Sequence, residues 1–110
     1  MGKALFKLED RTTTAARKHS EDMANNNYFQ HNSLDGSKFS ARLTAEGISW
    51  SGAGENICAG AGDAINMVIG WIGSSGHRKG MLTDFKYIGV GAAYSSSADY
   101  GIYCTQDFWR

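Results

Sequence analysis

Three histidines and one glycine-flanked acid carry the first chemical signal in this chain. His31 follows Tyr28-Phe29-Gln30 and His77 follows Ser74-Ser75-Gly76. Both segments read as loops, where a rigid scaffold presents functional groups. Glu55 lies between Gly54 and Asn56, in a stretch whose glycines let the backbone fold closely around the acid's neighbours. Two imidazoles and a carboxylate can hold a divalent cation such as zinc, or the carboxylate can act as a general base that the imidazoles position. The chain has no short ligand pair of the His-Glu-x-x-His type, so spacing alone leaves both readings beside a plainer one of solvated loop side chains.

The remaining reactive residues give weaker signals. His19 falls on the apolar face of a helical pattern, where a packed core histidine is the expected role. Ser74 and Ser75 stand near His77, yet no Gly-x-Ser-x-Gly elbow is present for a serine nucleophile. The residues around Cys58 match neither of two well-defined cysteine-protease signatures. Gly60-Ala61-Gly62 lacks the third glycine and the preceding strand of a dinucleotide-binding turn, and reads as a helix entry. Cys58 and Cys104 make an even count, which fits either a bridge in an exported domain or two buried thiols in a reducing compartment.

Elements to position these groups follow from periodicity. Ala15, Ala16, His19 and Met23 recur at three- and four-residue spacing among charged residues, which predicts an amphipathic helix over 12–23, ended by Asn25-Asn26-Asn27. Asp35-Gly36 predicts a turn, Ser37 an N-cap and 39–46 a short helix closed by Gly47. The run 51–56 is backbone-permissive and reads as irregular. Asp63 is expected to cap a helix carrying Ala64, Met67, Val68 and Trp71 on one face. Residues 87–94 and 100–108 have strand composition and form an antiparallel hairpin, with Ile88, Val90 and Ala92 on one face and Gly89 and Gly91 leaving the other open to close packing. Helices first and a hairpin last point to an α+β fold.

Composition bounds the function classes. Eleven basic and eleven acidic residues cancel over 110 residues, so the chain has no field to attract phosphate backbones or an anionic bilayer. No apolar run approaches the ~20 residues of a membrane-spanning helix, and no repeat or linker divides what reads as one domain over 1–110. The chain has no proline, so its turns rely on Gly, Asn, Asp and Ser. Behind Met1-Gly2-Lys3 lies no apolar signal core; if the chain is exported, its signal has been removed.

Several ordered motifs together resemble the CAP superfamily of cysteine-rich secretory proteins, antigen 5 and pathogenesis-related proteins, also called the SCP domain. These are His19-Ser20-Glu21-Asp22-Met23-Ala24, Tyr28-Phe29-Gln30-His31, Gly54-Glu55-Asn56-Ile57, Trp71 and Ser75-Gly76-His77-Arg78. Phe85, Ile88-Gly89-Val90-Gly91 and Thr105-Gln106-Asp107-Phe108 are similar to its closing strands, so the resemblance runs from about Leu5 to the C-terminus. It implies a three-layer α-β-α sandwich around a small antiparallel sheet, with a cleft lined by His31, Glu55 and His77. The fourth cleft position, acidic in many eukaryotic members, is Ser74, which resembles the bacterial branch and removes a carboxylate from any metal or acid–base scheme. A zinc or other divalent cation held by His31 and His77 would then need water or a ligand atom to complete its shell. The family's usual first helix is expected to be truncated, exposing apolar surface that a partner could cover, so either a monomer or a dimer is compatible. The resemblance further implies an extracellular or cell-surface location and a binding module for a lipid or protein ligand. Its alternatives are a hydrolase of peptide or cell-wall glycan that uses Glu55, His31 and His77, and a lipid-binding groove that Trp50 and Trp109 could line, although core or rim packing is the expected role of each.

Overall fold

The computed structural model describes residues 7–60 and 85–110. The elements in chain order are β1 (Lys7–Leu8), α1 (Asp10–Asn26), α2 (Phe39–Ala45), β2 (Ala53–Ala59), β3 (Tyr87–Tyr94) and β4 (Ile102–Trp109). The helix expected from Asp63, and the turn carrying Ser74 and His77, lie outside the described residues.

Helix α1 begins where Glu9 caps it, its carboxylate accepting from the Thr12 backbone N–H at 2.9 Å. It ends at Asn27 in the left-handed conformation (φ 52°), an exit that asparagine tolerates better than branched residues. Its inner face carries Thr12, Ala15, Ala16, His19, Ser20, Met23 and Ala24, all buried. Small residues dominate that stripe, which lets the helix lie close to whatever it covers.

What it covers is the sheet, whose strand order is β1-β3-β4-β2. The β3–β4 hairpin forms as expected, and β2 pairs antiparallel with the far edge of β4. A two-residue parallel contact of β1 with β3, through Lys7↔Tyr87 and Leu8↔Ile88, adds an edge that the sequence pattern does not announce. Two expectations change. The run 51–56 is not irregular: from Ala53 onward it belongs to β2, because β4 offers it a full ladder of partners. Its glycines serve close packing, since a Cβ on Gly54 would meet the Phe85 ring at 3.0 Å. Ser37 does not cap α2; its hydroxyl and N–H both bond to Asp35 Oδ1, and Lys38 takes the cap position with no side-chain bond.

The glycines of β3 fix the helix–sheet distance. A Cβ on Gly89 would fall 2.2 Å from Thr13 N, and one on Gly91 2.3 Å from Arg17 N, both within hard-sphere overlap of backbone. At that range polar groups of α1 reach the sheet directly. Ser20 Oγ donates to Gly91 O at 2.9 Å and lies 2.8 Å from Thr105 Oγ1. Trp109 Nε1 donates to Thr12 Oγ1 at 2.6 Å, and that hydroxyl in turn donates to Glu9 Oε1 at 2.7 Å. Trp109 is 8% exposed and stacks on Tyr87, so it is a core residue, the role expected for it. Leu43 of α2 joins Ala15, Ile48 and Trp109 in the same core cluster.

Because the clash at Gly89 is with helix backbone, no side chain can rotate away to relieve it. Gly89→Ala is therefore expected to lower the free energy of unfolding by about 3 kcal/mol, measured by urea denaturation. A loss within experimental error would show that α1 does not need this contact.

Candidate functional site

Glu55 sits mid-strand on β2, on the face that looks toward α1, and its side chain is 0% exposed. A carboxylate there requires partners, and it has two. Oε1 accepts from His31 Nδ1 at 3.0 Å and Oε2 accepts from Arg42 Nη2 at 2.8 Å. Arg42, projecting from α2, also donates to the His31 carbonyl at 2.9 Å and to Ser33 Oγ at 2.9 Å. One planar guanidinium thus ties strand, helix and the His31 loop together, which a lysine's point charge could not do.

The outcome for His31 is a fixed ring orientation. The carboxylate accepts, so Nδ1 carries a hydrogen and Nε2 is the ring nitrogen not engaged by Glu55. The His31 side chain is about half exposed, at 53%. The structure therefore brings together two of the residues expected from sequence, His31 and Glu55. Ser74 and His77 lie outside the described residues.

Asp107 stands directly across from Glu55 on β4, with Gly89 on its other side. It is fully buried, and neither carboxyl oxygen has a hydrogen-bond donor among the described residues. Burial, followed by the nearness of the Glu55 carboxylate and its charge, lifts its pKa well above the ordinary carboxylate range; Arg42 opposes this only in part. Asp107 therefore holds its proton to higher pH than an exposed aspartate does. Within the cluster the Glu55 carboxylate is matched by the Arg42 guanidinium.

His19 lies nearby but takes a structural role. It is 1% exposed, its Nε2–H donates to Gln30 O at 2.8 Å, and its ring meets the edge of Tyr28. Burial, helped by the charge of Arg42, lowers its pKa and keeps it neutral. Tyr28 in turn donates its hydroxyl to the Asp22 carboxylate. These contacts pin the chain just before His31.

Sequence patterning does not single out Arg42, one basic residue on a short amphipathic helix. Asp107 does carry a signal: it is the one charged residue in the otherwise uncharged strand Ile102–Trp109. Trp50, 37% exposed with its N–H on Thr44 Oγ1, packs against α2 at the rim.

The proton on Asp107 has a measurable sign. The folded chain holds a proton that the unfolded chain releases above the ordinary range near pH 4, so this group makes stability fall as pH rises from there, until the raised folded-state value is passed. His19 adds the opposite trend, since unfolding lets it take up a proton below about pH 6.5. Subtracting the Asp107→Asn variant from wild type isolates the first trend: the variant should gain on wild type steadily as pH rises above about 4. Parallel stability–pH curves from chemical denaturation would place the proton elsewhere.

Comparisons with known proteins agree with this architecture. The family model described as the cysteine-rich secretory protein family, CAP, matches residues 1–108. Two Bacillus subtilis proteins, the uncharacterized membrane protein YlbC and the uncharacterized protein YkwD, are each 40% identical, over 82% and 84% of this chain. The chain spans only 26% and 36% of their lengths. Among solved structures, an extracellular protein containing an SCP domain from Bacillus anthracis is 36% identical with a TM-score of 0.74, over 96% of this chain and 34% of that one. An outer surface protein from Borrelia burgdorferi shares the fold at 19% identity and a TM-score of 0.76, over 96% of this chain and 77% of its own. With the α+β architecture, the helix-covered sheet and a family match over nearly its full length, this chain belongs to the CAP family of cysteine-rich secretory proteins.

Proposed function

We propose that this chain is an extracellular, non-enzymatic binding domain that offers His31 Nε2 to its ligand. One observation carries this reading: both oxygens of the buried Glu55 carboxylate are already taken, by His31 and by Arg42. Glu55 therefore orients an imidazole. The extracellular and outer-surface descriptions of the two structural neighbours support the location. Phe29 and Leu34, in the same loop as His31, are exposed and give the imidazole an apolar flank suited to a lipid or protein ligand.

The same geometry suits a cation of modest affinity. A metal-ligating histidine commonly donates its other ring N–H to a carboxylate, the relation between His31 and Glu55. Zinc would be held by His31 Nε2 and His77, with water or a ligand atom completing the shell, and it would supply a positive charge for an acidic or carbonyl group. The balanced charge of Glu55 and Arg42 adds no net attraction, and among the described residues no three His, Cys, Asp or Glu side chains converge on one point. Hydrolysis draws less support, because Glu55 would have to release His31 or Arg42 before it could activate water.

Calorimetric titration of metal-stripped protein with zinc tests the cation reading. Wild type should bind in the micromolar range, His31→Ala and His77→Ala should lose binding, and Glu55→Gln should weaken it by about 10- to 100-fold. Equal affinity in wild type and the double histidine variant would refute it. A screen against peptides and cell-wall glycans tests the hydrolase reading, since turnover abolished in Glu55→Gln would displace the binding-domain proposal.

A further inference from the structure

Cys58 and Cys104 take no part in the His31–Glu55 site, yet the sheet brings them together. Cys58 of β2 and Cys104 of β4 are direct cross-strand partners. Their side chains therefore leave the sheet on one face, and each stands three residues from the site, Cys58 from Glu55 and Cys104 from Asp107, an odd number that puts them on the opposite face.

The spacing of the pair follows from the ladder. Gly60 N–H donates to Ile102 O at 2.8 Å, two residues farther along both strands. Antiparallel partners alternate between hydrogen-bonded and open pairs, so Cys58 and Cys104 share the hydrogen-bonded class of Gly60 and Ile102, with Cα atoms about 5.5 Å apart. Disulfides are built on Cα separations of about 4.4 to 6.8 Å. Both residues are present as thiols and both are 7% exposed. On the other flank Cys104 is paired with Ala92 of β3.

We propose that Cys58 and Cys104 close into a cross-strand disulfide when the chain meets a thiol–disulfide oxidant, stapling β2 to β4. The thiolate of one cysteine attacks the oxidant's disulfide, forming a mixed disulfide and expelling one oxidant thiol. The second cysteine then attacks the mixed disulfide, forming the Cys58–Cys104 bond and expelling the other oxidant thiol. Two electrons and two protons pass to the oxidant. The bond would lock the register that sets Glu55 against Asp107, so the site would tighten in an oxidising exterior.

The test equilibrates the full chain with mixtures of glutathione and glutathione disulfide, followed by alkylation in denaturant and peptide mass spectrometry. The expected result is a loss of two hydrogens in the intact mass, a linked pair of peptides containing Cys58 and Cys104, and a melting midpoint roughly 10–15 °C above the reduced form. Cys104→Ala should show no link and no redox-dependent shift. Two alkylated thiols at every ratio, glutathione adducts alone, or links only between separate chains would overturn the proposal. A bridge that leaves the midpoint unchanged would overturn its role as a staple.

Discussion

Helix α1 rests on strand β3 at backbone contact distance, and most of the described structure is arranged around that closeness. Gly89 and Gly91 make it possible, since a methyl group on either would overlap the helix main chain. Once the helix is that near, short side chains suffice to bond across the layers. Ser20 reaches Gly91 and Thr105, and Thr12 receives the Trp109 indole while bonding to Glu9. The layers are thus joined by buried polar contacts as well as by apolar packing, and each of those contacts fixes the rotation of α1 about its axis. That rotation decides where His19 meets Gln30, and so where the chain toward His31 leaves the helix.

Beneath the helix, two acids occupy neighbouring strands with very different solutions to burial. Glu55 is matched by Arg42 and His31, which reach it from α2 and from the loop. Asp107 has no donor among the described residues, and its pKa is raised. Two adjacent buried carboxylates repel when both are charged, which favours the protonated form of the one without a cationic partner. Arg42 is central here: without it Glu55 would lose its neutralising partner, and the loop holding His31 would lose two hydrogen bonds.

Much of this was legible in the chain, for reasons that are local. The periodicity from Ala15 to Met23 and the asparagine run after it define α1, although the capping Glu9 extends it at the start. The alternation of glycines at 89 and 91 with Ile88 and Val90 marks both the hairpin and the face that accepts a helix. His31 and Glu55 stand out through their loop and glycine settings, and the structure joins them. What stayed hidden depends on distant partners. β2 reads as irregular because its strand character comes from β4, far along the chain, and not from β-branched residues of its own. Arg42 looks like any solvated residue of a short helix until the sheet places Glu55 within its reach.

The burial of Asp107 has a further consequence that belongs to the time before the chain is folded. β4 is an inner strand of the sheet, with every residue from Tyr103 to Trp109 buried, and its segment is rich in aromatic and other strand-forming residues. Such a segment, exposed on an unfolded chain, is a template for intermolecular strand pairing. Out in water Asp107 is ionised, and a charge in the middle of the segment opposes stacking of like chains. On folding, the acid is enclosed in the sheet, where burial favours its protonated form. The same residue is therefore a solubilising charge on the nascent chain and a fully buried acid in the finished core.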